Sequence, residues 1–220
     1  MADLIELIPD IKPDVPTAPD LSIQRYLILS AIEFFRESEV WKVDLDSIAL
    51  VEHQSDYTLT VPKDTRTTHL NSAVFDGRRK LTHVTSEKLK SYQRLASSHA
   101  APLLISLNGS DISLWPTPDK YVDGKFLQLT VTIVPKYITV SIPDELLEEW
   151  RLALTYGAKS KLFLSPKKEW TDINLAQYYQ QLFRSEIQRA KAKSIDNGGV
   201  GVRVSNRFFS GSRRRVKMHS

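Results

Sequence analysis

The chain contains no cysteine, so disulfides and thiolate metal ligands are excluded from its stability and chemistry. No apolar run approaches the roughly 18–20 residues that span a bilayer, and no membrane partner is expected. Met1 to Pro9 is acidic and lacks a basic start and a long apolar stretch, so it does not read as a secretory signal. Catalytic patterns are missing as well. The histidines, His53, His69, His83, His99 and His219, are not paired at i, i+3 or i+4, and no zinc-protease, nucleophile-elbow or phosphate-loop pattern occurs. Glu148 and Glu149 read as a solvated acidic face. The expectation is a protein with no catalytic residue, no metal site, no cofactor and no enzyme activity.

Acidic residues are also missing from one end. Arg203, Arg207, Arg213, Arg214, Arg215 and Lys217 follow one another without a single acid between them, whereas the rest of the chain carries more acids than bases. The formal net charge of +4 therefore resides in the C-terminal tail, on a mildly acidic body. Such asymmetry points to an acidic or polyanionic partner for the tail. Phe208 and Phe209 stand inside this polar stretch. Two adjacent aromatics are unfavourable to expose and make natural anchors in an interface.

What is present is a globular composition, 41% apolar and 25% charged, in 220 residues. Pro9, Pro13, Pro16 and Pro19 predict an extended N-terminal arm over 1–19, since each removes an N–H and restricts its predecessor. Asp20 is placed to cap a helix over about 20–38, whose apolar residues Ile23, Leu27, Ala31, Phe34 and Phe35 are flanked by Ile28 and Ile32. That surface is wide enough to predict burial against more than one neighbour, an adjacent subunit included. Period-2 alternation then takes over: Val43 and Leu45; Tyr57, Leu59 and Val61; a hairpin around Asp76-Gly77; a second around Asn108-Gly109; and a strand from Phe126 to Val134. A short helix capped by Ser86 lies among them. Pro143 opens the next helix, where Trp150, Ala153, Gly157 and Ala158 promise close helix contact. Thr171 is expected to cap the last helix, which carries Leu175, Tyr179, Leu182, Phe183, Ile187 and Ala190 and stops near Asn197-Gly198-Gly199. Lys159, Lys161, Lys167 and Lys168 crowd a helix end, where cations are favoured, and DNA or a portal is the sharper alternative partner.

The ordered combination resembles the head-to-tail adaptor, or connector, proteins of tailed bacteriophages. The residues that carry it are Ala31–Ser38 with Trp41, Tyr57-Thr58-Leu59, Asp76-Gly77-Arg78, Leu114-Trp115-Pro116-Thr117-Pro118 and Asp123-Gly124-Lys125-Phe126. They continue with Ile142-Pro143-Asp144, Trp150, Tyr156-Gly157-Ala158, Trp170 and the helix through Tyr179, Phe183 and Ala190. The match runs over roughly 20–193.

The expected fold class is α+β, an antiparallel helical bundle (20–40 and 136–197) with an inserted β-rich lobe (41–135) and an extended basic C-terminal tail (198–220). The resemblance implies a structural ring, a homo-oligomer of about twelve copies, docked on the portal protein and joining it to the tail tube or nozzle protein. It implies a place at the head-to-tail junction of the virion, assembly in the host cytoplasm, and packaged DNA passing through the lumen. The portal-binding residues expected in the tail are Arg203, Arg207, Phe208, Phe209, Arg213, Arg214, Arg215 and Lys217. The rival reading is a nucleic-acid-binding protein that sets this basic tail on phosphates.

Overall fold

A computed structural model describes residues 2–95, 98–139 and 141–196. In chain order, β1 (Ala2–Asp3), a 3-10 turn (Leu4–Leu7) and α1 (Ile8–Ile11) precede the long helix α2 (Asp20–Ser38). Then come β2 (Lys42–Asp44), β3 (Ile48–Ala49), β4 (Asp56–Thr58), β5 (Thr65–Phe75), β6 (Arg79–Lys80) and β7 (Thr82–His83). Helix α3 (Ser86–Leu95) leads to β8 (Leu104–Asn108), β9 (Asp111–Trp115) and β10 (Phe126–Pro135). The chain closes with β11 (Ser141–Ile142), α4 (Asp144–Phe163) and α5 (Ile173–Asp196). The class is mixed α+β, as expected.

The strands form three sheets. One has the order β2-β10-β5-β6 with β3 also on β10, one the order β4-β9-β8-β7, and one the pair β1-β11. Both hairpins predicted from turn chemistry are present. Asp76 and Gly77 take positive φ of 52° and 65° between β5 and β6, and Gly109 takes 63° between β8 and β9. Strand β5 begins at Thr65, earlier than the alternation suggests, because Thr-Arg-Thr-Thr-His carries few apolar residues to mark a buried face.

The helices do not stand as a separate bundle. Helices α2, α4 and α5 pack on one another, and α2 also packs on β10, so one continuous core joins helices and sheets. The two adjacent phenylalanines of α2 explain this. Phe34 meets Trp150 at 5.3 Å and Phe183 at 6.3 Å on the helical side, while Phe35 meets Trp41 at 5.2 Å where the chain turns into the sheet. Residues one apart on a helix point about 100° apart, so a single helix serves both layers. The wide apolar stripe that suggested burial against another subunit is thus covered by its own chain: Ile23, Leu27, Ala31, Phe34 and Phe35 are fully buried.

The N-terminal segment is likewise not an extended arm. Leu4, Leu7, Ile11, Val15 and Ala18 are buried, and β1 pairs with β11. The Asp3 carboxylate accepts from the Ile5 N–H at 3.0 Å and Glu6 reaches back to the Asp3 N–H, a reciprocal cap. Pro9 lies in the first turn of α1, where its missing N–H leaves no intrahelical bond unmade. The prolines limit helix length without preventing packing. Asp20 also differs from expectation: Pro19 holds the cap position of α2, and Asp20 pairs with Lys12 at 2.7 Å. Asp172 rather than Thr171 caps α5, accepting from Asn174 and Leu175 N–H at 2.9 and 3.0 Å. The Thr171 hydroxyl instead donates to the Ser165 carbonyl at 2.6 Å.

Candidate assembly surfaces

The predicted docking residues Arg203, Arg207, Phe208, Phe209, Arg213, Arg214, Arg215 and Lys217 lie outside the described residues, as do Gly198 and Gly199. The structure does fix where the body hands over to that segment. Strand β2 alternates inward Val43 with outward Asp44, yet Lys42 is itself buried. Its ammonium donates to the Ser194 carbonyl at 3.1 Å, in the last turn of α5. A cation there answers the helix's negative end. The Ser194 hydroxyl donates to the Glu39 carbonyl at 3.1 Å, and Glu39 closes α2 with a left-handed φ of 53°. The end of α5 is therefore fastened to the α2–β2 junction.

Beyond this fastening lies a polar trough across the outer face of the β2-β10-β5 sheet. Its first part, about 430 Å³, lies against the α5 end and includes Lys42, Lys80 and Lys191 with Glu39. Its second part, about 390 Å³, is lined by Asp44, Ser47, Gln128 and Val74, and the two parts share Ser72 and Thr130. Asp44, Thr130 and Ser72 are opposite one another in the ladder, and the Thr130 hydroxyl donates to Asp44 at 2.7 Å.

Two apolar patches face solvent. Leu21, Tyr137 and Ile138 surround a groove of about 250 Å³ with Gln24, Arg25 and Ile28. Leu21 and Ile138 are 78% and 79% exposed, values that set them apart from the buried stripe of the same helix. Leu164, Ile173, Leu175 and Tyr178 are exposed around the α4–α5 connection.

The helix-end lysines are held in the fold. Lys159 pairs with Asp14 at 2.6 Å and lies over the Tyr179 ring; Lys161 pairs with Glu33 at 2.7 Å and lies over Phe183. Both fasten α4 to elements that precede it. Burial, with Asp14 beside it, pushes the Tyr179 phenol up from its ordinary value. Sequence spacing did not reveal that the rings of His53 and His99 meet edge-on at 5.0 Å, because the two residues belong to distant loops. Among the described residues no group of three His, Cys, Asp or Glu side chains is arranged to hold a metal, and no helix is long and apolar enough to cross a membrane.

No curated protein matches the sequence. The sequence model of one family, described as SU10 adaptor protein, matches residues 1–205. That span takes in every described element and Arg203, and stops before Arg207, Phe208 and the arginine triplet. The chain belongs to the SU10 adaptor protein family, a family of phage head-to-tail adaptors.

Proposed function

We infer that the chain forms a closed homo-oligomeric ring, a dodecamer, that docks on the portal and connects it to the tail tube or nozzle protein. The family match over 1–205 carries this reading. In it, the helices of 20–40 and 136–197 form the portal-proximal body. The strands of 41–135 face the tail or the neighbouring subunit, and packaged DNA passes through the lumen. Assembly takes place in the host cytoplasm, and the finished ring sits in the virion at the head-to-tail junction. Phe208 and Phe209 anchor in an apolar recess of the portal, while Arg203, Arg207, Arg213, Arg214, Arg215 and Lys217 pair with its acids. The charge asymmetry between body and tail supports that division of labour. The exposed Leu21, Tyr137 and Ile138 give a ring contact an apolar component that α2's buried stripe does not.

Native mass spectrometry of a reconstituted portal complex tests the ring. The expected stoichiometry follows the portal's own symmetry. One adaptor copy per portal, or a number unrelated to that symmetry, contradicts it.

A further inference from the structure

We propose that the polar trough on the β2-β10-β5 sheet is the seat of the first part of the same chain's C-terminal segment, residues 200–207, with Arg203 and Arg207 against Asp44 and Asp46. Position comes first. Helix α5 ends with Ser194 fastened to Lys42 and Glu39, and Lys191, Ser194 and Ile195 line the near end of the trough. The chain that continues from Asp196 therefore starts at its mouth.

Reach and charge then agree. An extended chain covers at most about 3.3–3.6 Å per residue, so the seven residues from Asp196 to Arg203 span up to about 25 Å. Lys42 and Asp46 are four residues apart, about 13 Å of strand. The near end of the trough is lysine-rich, and the residues that would cross it, Asn197-Gly198-Gly199-Val200-Gly201-Val202, carry no charge. Three glycines among them allow close approach to the sheet face. The first arginine falls where the trough becomes acidic, at Asp44 and the exposed Asp46. The floor, with Ser72, Thr130 and Gln128, offers hydrogen-bonding groups rather than an apolar surface. Phe208, Phe209 and Arg213–Arg215 then fall beyond the seat. Assigning them to the portal rests on the reading above; the seat itself does not.

The absence of native cysteine makes the test direct. In the full-length chain, without portal, Ser47→Cys with Val204→Cys is oxidised and followed by peptide mapping. Glu87→Cys with Val204→Cys, on α3 outside the trough, is the control. The expected result is an intrachain disulfide closing at least about tenfold faster than the control, as a seated segment has the higher effective concentration. Adding Asp46→Asn, an exposed change that leaves the fold intact, should slow closure, and Asp44→Asn with it should slow it further. Equal rates for the two pairs overturn the seat. Predominantly interchain disulfide overturns its assignment to the same chain. Either failure leaves portal docking untouched, because no portal is present.

Discussion

At the scale of single residues, the tightest place in the molecule is Gly157. A Cβ there would stand 2.8 Å from the Phe183 ring and 2.9 Å from the Ser30 Cβ. Helices α2, α4 and α5 converge on this hydrogen atom. Gly157→Ala gains about 1 kcal/mol of helix propensity and loses about 1–3 kcal/mol to overpacking, so a net loss is expected in urea denaturation. Gly157→Leu should not fold. One turn and a half earlier, Trp150 is buried at a break in α4, where its φ and ψ are −110° and 18°. Arg189 lies over its ring at 5.1 Å. Trp150→Ala should cost about 3–5 kcal/mol, read as a lowered thermal midpoint. Its indole N–H has no partner among the described residues, so Trp150→Phe should be much milder. Both positions were legible in the sequence, because a small residue and a large apolar one at helical spacing imply close packing. The break at Trp150 was not, since no proline or glycine marks it.

At the scale of elements, hairpins and long helices followed from turn residues and periodicity, while the N-terminal segment did not. Its prolines were visible; its apolar residues at 4, 7, 11, 15 and 18 are the signal that outweighed them, because their burial against α2 and α4 repays the short, broken helix. Deleting residues 2–19 should therefore destabilise the protein severely. Burying each such side chain contributes about 1.5–3 kcal/mol, and Asp10–Arg151 and Asp14–Lys159 are lost as well. Circular dichroism during heating measures this; an unchanged midpoint would show the segment to be a dispensable leader. Likewise, Lys42→Met should leave the fold but release the last turn of α5. Amide hydrogen exchange at residues 191–195 should then accelerate, while exchange in the middle of α5 stays slow.

At the scale of the whole molecule, the chain's adaptor character was legible as an order of segments rather than as any one motif. Its body uses its apolar residues on itself, and what remains outside is a few exposed side chains and a basic end. The central claim is that this end docks the ring on the portal. Purified portal is sedimented with the full-length chain, with a chain ending at Asn197, with the Phe208→Ala and Phe209→Ala pair, and with Arg213, Arg214 and Arg215 all changed to Ala. The account predicts that the full chain co-sediments and that the chain ending at Asn197 stays folded in the supernatant. It predicts that the phenylalanine pair weakens docking at any salt, and that the arginine triplet matters less as salt rises. Co-sedimentation of the chain ending at Asn197 as complete as that of the full-length protein would contradict it.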